Sequence, residues 1–195
     1  METEETNEPE MNEGGKVEKK RQRSPELAKF WKTVEDDQSD FTGWTYLLQF
    51  VDNHGSLHEG REAFDAFLFK YPYCYGYWKK FADFEKRHGT QDSCMAVFER
   101  GIQAIPLSAD LWIHFMNYVK AEFASDVNFV RETYERAVLA CGQEWRSDKV
   151  WDHYVKWEMS LQEKADRKDL RRVLTLYDRI LLNPTQGLAH QVSMF

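Results

Sequence analysis

The chain has 195 residues, with 26 Lys and Arg against 33 Asp and Glu, a net charge of −7, and 42% apolar and 15% aromatic residues. Only 10 Gly and 5 Pro interrupt it, which argues against a loop-rich or many-stranded β architecture, and an acidic balance is the wrong sign for gripping a polyphosphate backbone by charge. No apolar run approaches the ~18–20 residues of a membrane span and no apolar signal core opens the chain, so a soluble, intracellular, all-α protein is expected.

Residues 1–23 contain no aromatic and almost no aliphatic side chain. An acidic stretch, Met1–Glu13, gives way to a basic one, Lys16–Arg23, and a segment of this composition is expected to be disordered. Helical structure is expected from Ser24-Pro25, an N-cap residue followed by a proline suited to the first helical position. The same dipeptide, Ser24 first, is also a candidate site for a proline-directed kinase, with phosphate favoured at a helix N-terminus. The compact run Lys19, Lys20, Arg21 and Arg23 is a candidate nuclear-import signal or nucleic-acid patch; a solubilising linker is the plain alternative.

From residue 24 a repeat takes over. Trp44, Trp78 and Trp112 are each 34 apart, and Trp151 follows 39 later. Behind each Trp stands an apolar residue at +3 (Leu47, Phe81, Phe115, Tyr154) and an aromatic at +6 (Phe50, Phe84, Tyr118, Trp157). Those offsets share one helical stripe, so each Trp is expected to open an amphipathic helix A. A second signature begins at Phe64, Phe98, Tyr134 and Tyr177 and marks a helix B; Pro72, Pro106, Cys141-Gly142 and Pro184 end the units. Turn residues separate A from B: Ser56-Leu57-His58-Glu59 is a capping box, and His88-Gly89-Thr90, Ala124-Ser125-Asp126 and the polar insertion Gln162–Lys168 fill the same place in later units. The expected architecture is an α-solenoid of stacked antiparallel hairpins. It comprises a tail (1–23), a half-unit (24–39), repeats near 40–72, 73–106, 107–142 and 147–184, and a divergent C-terminal tail (187–195). The aromatic residues named above at the Trp, +3, +6 and helix B positions are expected to be the repeat-packing residues.

Phe98-Glu99-Arg100-Gly101-Ile102 and Tyr134-Glu135-Arg136-Ala137-Val138, in register with four Trp-led helices, resemble the half-a-tetratricopeptide (HAT) repeat. Within that class the chain is similar to the pre-mRNA-processing factor 39 family, through Phe30–Asp37, Trp44–Val51 and Lys70–Phe81, over about Ser24 to Gln186. The resemblance implies a nuclear, non-enzymatic scaffold of pre-mRNA splicing, bound to proteins of the U1 small nuclear ribonucleoprotein and acting in 5′ splice-site selection. It also implies a longer chain with a second array for dimerisation, so a truncated form, with dimerisation in doubt, is expected here. A HAT scaffold of mRNA 3′-end cleavage is an alternative, and so is direct RNA contact through the basic tail and the Tyr71–Trp78 surface, where bases could stack.

No catalytic, cofactor-binding or metal site is expected. His54 and His58 flank a turn and would not share a helical face. Cys74, Cys94 and Cys141 are odd in number and too widely spaced for a disulfide framework or a zinc knuckle, and no local pattern supplies a base for a nucleophile. His114 and His153 each follow a repeat Trp by two residues, which suggests equivalent packing or rim positions. The rings of Tyr71, Tyr73, Tyr75, Tyr77 and Trp78 are expected to fill the space between hairpins, and Arg100, Arg136 and Arg179 to pair with an acid of the adjacent helix.

Overall fold

Helix formation starts at the predicted cap. Ser24 Oγ accepts from the Leu27 N–H at 3.2 Å, Pro25 takes the first helical position, and α1 runs over Pro25–Asp36. The structure is a computed structural model that describes residues 23–164, 170–183 and 185–187. The tail up to residue 22, residues 165–169, Pro184 and residues 188–195 lie outside the described residues. Among the described residues there are nine helices and no strand. After α1 come α2 (Phe41–His54), α3 (Leu57–Lys70), α4 (Tyr75–His88), α5 (Gln91–Ala104), α6 (Ala109–Glu122), α7 (Val127–Cys141), α8 (Asp148–Lys164) and α9 (Arg171–Leu181). The even-numbered helices from α2 are the A helices, and the odd-numbered helices from α3 are the B helices.

Two details differ from the sequence reading. Each repeat Trp is the fourth residue of its helix A, because one turn of helix precedes it in α2, α4, α6 and α8. Gln162, assigned to a loop, lies within α8, which continues to Lys164. The cause is the helix propensity of Leu161-Gln162-Glu163-Lys164, which contains no breaker.

One stack recurs along the array. The first residue of the helix B signature lies against the +3 residue of the next helix A. Ring centroids are 5.0 Å apart for Phe64–Phe81, 5.1 Å for Phe98–Phe115 and 4.7 Å for Tyr134–Tyr154. All six rings are at most 3% exposed, and burying each contributes roughly 1.5–3 kcal/mol. Helices α4, α6 and α8 also pack on one another, while no two successive B helices pack as closely. The A helices therefore form the inner wall of a bend and the B helices its outer wall.

The repeat Trp has a second role that its apolar surface alone did not disclose. Its indole N–H donates to the carbonyl that closes the preceding turn: Trp44 to Gln38 at 3.0 Å, and Trp78 to Pro72, Trp112 to Pro106 and Trp151 to Gly142, each at 2.8 Å. The first three acceptors lie six residues back and the last lies nine back. Three residues have thus been added to the turn before α8, and Ser147 Oγ also donates to Gly142 at 2.8 Å, closing the enlarged turn. Two more lie between Trp112 and Tyr134, which are 22 apart where earlier units have 20. Together these account for the long spacing between Trp112 and Trp151, with no change in how the Trp is held.

Helix α3 approaches α4 closely at Gly60. A Cβ on Gly60 would stand 2.1 Å from Phe84 Cζ, and Phe84 is fully buried beside Phe64. Gly60→Ala is expected to destabilise the chain by about 1–3 kcal/mol despite alanine's better helix propensity. Urea unfolding would measure this, and Phe84→Leu in the same chain should recover part of the loss.

Candidate protein-binding surface

The A and B helices fix the register of every polar group on the array. On the outer wall the helix B signature forms a ladder. Arg100 of α5 bonds Asp65 of α3 at 2.7 Å, Arg136 of α7 chelates Glu99 of α5 at 2.7 and 2.8 Å, and Arg179 of α9 bonds Glu135 of α7 at 2.9 Å. Each Arg thus reaches the B helix of the preceding unit rather than the adjacent helix. Its guanidinium also lies over the Trp of its own unit, 5.5 Å from the Trp78 ring, 5.8 Å from Trp112 and 5.2 Å from Trp151. The aromatic-acid-Arg signature therefore joins a unit to its predecessor by charge and, through the stacked aromatic, to its successor by dispersion.

A second set of ion pairs lies in the junctions, with the carboxylates buried. Arg61, three residues before Phe64, chelates Glu85 at 2.6 and 2.8 Å. Arg131, three before Tyr134, does the same to Glu158 at 2.5 and 3.2 Å. Both carboxylates are 1% exposed. Bonds from Arg61, and from Ser93 at 2.6 Å, hold the Glu85 carboxyl below its usual range. In the unit between them the same positions hold Met95 and Val119. Ionic and apolar junctions therefore alternate, a pattern visible in the sequence only once −3 of helix B is set against +7 of helix A.

Of the residues expected to pack the repeats, Phe50 is half-buried beside Phe30 at 5.1 Å. Trp44, Phe64, Trp78, Phe81, Phe84, Phe98, Trp112, Phe115, Tyr118, Tyr134, Trp151, Tyr154, Trp157 and Tyr177 are all buried. Lys19, Lys20 and Arg21 fall outside the described residues, whereas Arg23 bonds Glu62 at 2.5 Å and lies 4.3 Å from the Trp31 ring. The Ser24 hydroxyl is engaged as the α1 cap. The tyrosine cluster divides. Tyr71 and Tyr77 pack on Phe41 and Phe67, but Tyr73 and Tyr75 are 77% and 46% exposed. They do not fill the junction, because the turn after Pro72 points them outward. Sequence reasoning also missed that the other turns entering helix A carry exposed Phe41, Leu107 and Trp145.

Reactive groups are absorbed by packing. Cys94 and Cys141 donate to the carbonyls of Ala82 and Ala137, and burial pushes their thiols up to about 11 and about 12. Cys74 is half-buried and shifted upward for the same reason. These thiols stay protonated at neutral pH and are poor nucleophiles. His54 ends α2 against Phe50, while His58 is on α3. His153 bridges Tyr134 and Asn117: Nδ1 accepts from the Tyr134 hydroxyl at 2.8 Å and Nε2 donates to Asn117 Oδ1 at 2.9 Å, the pattern of a neutral imidazole. At the matching place one unit earlier Phe98 has no hydroxyl. A cavity of about 200 Å³ is left there, lined by Lys79, Asp83, Lys86, His114, Asn117 and Tyr118 among others.

Burial, with Lys120 and Lys156 nearby, lowers the His153 pKa to about 4. His153 in the unfolded chain protonates near pH 6.5. Its contribution to stability should therefore fall as pH drops from about 6.5 to about 4 and then level off, with ion-paired carboxylates such as Glu85 carrying the loss at lower pH. After allowance for partial exposure the loss from His153 should be about 2 kcal/mol. Chemical denaturation across that range should show the slope, and His153→Gln, which keeps a donor and an acceptor, should flatten it.

Comparison with known proteins adds a family to this geometry. A model described as the PRP39 N-terminal HAT repeat matches residues 28–195. Pre-mRNA-processing factor 39 of Homo sapiens is 49% identical over 175 residues, which cover 88% of this chain and 25% of that protein. Its namesake in Schizosaccharomyces pombe is 30% identical over 180 residues, 87% of this chain and 28% of that protein. At 22% identity over 167 residues, 79% of this chain and 15% of the relative, stands the mRNA 3'-end-processing protein rna14 of Aspergillus oryzae. The chain thus spans about a quarter of the length of the pre-mRNA-processing relatives it matches.

Proposed function

The chain belongs to the PRP39 N-terminal HAT repeat family, and from that premise we propose that it is a non-enzymatic docking scaffold of pre-mRNA splicing. It works in the nucleus and holds proteins of the U1 small nuclear ribonucleoprotein during 5′ splice-site selection. The observation that carries this reading is the division of labour among its side chains. The Cys94 and Cys141 thiols are bonded inside their own units, and the His153 imidazole and the buried carboxylates are engaged in holding units together. Large apolar side chains stand exposed where one unit joins the next: Tyr73, Leu107 and Trp145 in the turns, and Phe41 and Tyr75 at the first positions of α2 and α4. A rod that engages most of its reactive groups in packing and exposes apolar side chains where its units join is suited to holding protein partners at fixed separations.

Direct RNA contact has one specific observation in its favour. Tyr73 and Tyr75 are exposed between Lys70 and Lys80, both exposed as well, an arrangement on which a single-stranded base could stack.

Affinity capture of the tagged chain from nuclear extract, followed by mass spectrometry with and without RNase, tests both. Proteins of the U1 particle should remain after RNase, and Leu107→Asp with Trp145→Ser should release them while the far-ultraviolet circular dichroism is unchanged. Loss of every partner on RNase alone would replace the docking reading with the RNA one.

A further inference from the structure

The cavity between α4, α5 and α6 marks a break in the pattern of the array. The corresponding place one unit later is closed by Met116 at +4 of α6, Val130 four residues before the helix B aromatic, Tyr134 itself and Trp157 at +6 of α8, all at most 8% exposed. Around the cavity the same positions hold Ala82, Cys94, Phe98 and Tyr118, each a smaller side chain. One unit earlier the small residue is Gly60, and there the Phe84 ring takes up the room. About 200 Å³ is left, more than the ~150 Å³ that admits benzene to an apolar core. A six-membered ring with a substituent therefore fits.

The lining is not apolar throughout. Ala82, Cys94, Phe98 and Tyr118 form a buried floor, while Asp83, Lys86 and Asn117 are exposed at a mouth on the inner wall. His114 lies half-buried between floor and mouth, and its imidazole makes no hydrogen bond among the described residues. At the same +2 position His153 accepts from the Tyr134 hydroxyl. Burial and Lys79 hold the His114 pKa below its ordinary value, with Asp83 and Asp110 opposing in part. The ring is thus neutral, and one of its nitrogens is an acceptor. Charge at the mouth is balanced, because Lys86 is bonded to Glu122 at 2.8 Å and Asp83 offsets Lys79.

We propose that this cavity is a receptor for a tyrosine side chain of a partner protein. The phenol ring lies against Phe98 and Tyr118, and its hydroxyl donates to His114 as the Tyr134 hydroxyl donates to His153. Asn117, whose Oδ1 accepts from His153, keeps its amide protons for the phenol oxygen. A balanced mouth favours this neutral group over a carboxylate or a nucleotide, which would bring negative charge into a half-buried site without a cation to meet it. The inference rests on the docking reading only for the source of the tyrosine. Its chemistry rests on the comparison between units.

Nuclear magnetic resonance of the full chain, with the His114 imidazole as reporter, tests the pocket with p-cresol, the tyrosine side chain as a separate molecule. Binding should be saturable with a Kd of about 1 mM or tighter, and at least about tenfold tighter than that of toluene, which lacks the hydroxyl. Phe98→Tyr supplies the hydroxyl from within, as Tyr134 does, and should weaken p-cresol at least about tenfold. Ala82→Met, which restores the side chain found at Met116, should exclude it. Toluene binding as tightly as p-cresol, or p-cresol binding undiminished in Phe98→Tyr, would overturn the phenol assignment. Tighter binding of uridine 5′-monophosphate would give the cavity to RNA, and no saturable binding of p-cresol would overturn the site itself. The source is read separately. With p-benzoylphenylalanine incorporated at Lys79, the tagged chain in nuclear extract should crosslink to protein segments that contain tyrosine, and Phe98→Tyr should suppress the crosslinks. Crosslinks to tyrosine-free segments or to RNA, or none at all, would overturn the partner assignment even where p-cresol binds. Failure of the docking reading and failure of the pocket are thereby told apart.

Discussion

The indole N–H of the repeat Trp, bonded to the carbonyl that ends the preceding turn, is the contact on which the array depends. A helical hairpin has one apolar stripe that only a neighbour can cover, but coverage alone leaves the angle between units free. The indole bond removes that freedom. It ties the start of each helix A to the backbone behind it, and it satisfies a carbonyl that would otherwise be stranded as the rings close over it. Because the bond reaches the carbonyl rather than a side chain, the acceptor can be Gln38, Pro72, Pro106 or Gly142 without altering the geometry.

With the angle set, the remaining contacts fall into register. The Phe64–Phe81, Phe98–Phe115 and Tyr134–Tyr154 stacks form where the closed junction brings two helices together. The signature Arg of α5, α7 and α9 then lies above its own Trp and within reach of the acid one unit back. A residue that looks like a surface charge in sequence is thus part of a sandwich of ring, guanidinium and carboxylate. Removing the ring would cost the packing and leave the ion pair without its support.

Much of this was legible in the sequence, for a physical reason. Helical periodicity and a repeated Trp report directly on which face is buried, and turn residues report on where helices stop. The Ser56 capping box stands where its residue types placed it, and Thr90 and Asp126, read as turn residues, also cap the helices that follow them. Less legible were features that depend on distance between units. The partner of Arg100 is 35 residues away, and no local pattern chooses between the next helix and the preceding unit. Helicity at Gln162 was hidden because polarity is equally suited to a loop and to an exposed helix end. Outward placement of Tyr73 and Tyr75 follows from the turn after Pro72, which aromatic composition does not reveal. The bond between Tyr134 and His153 requires knowing that two helices meet, although the change from Phe98 to Tyr134 at one repeat position was its trace.

The alternation of ionic and apolar junctions also bears on how the chain avoids folding out of order. Successive hairpins share a shape, so during folding one could seat against the wrong neighbour. A hairpin displaced by one place would bring Arg61 against Val119 and Glu158 against Met95, stranding two charges in an apolar seam. Such an arrangement fails on desolvation alone, before any fine packing is compared. The buried pairs therefore act as a checksum on the order of the units, one that a chain of uniformly apolar junctions would lack.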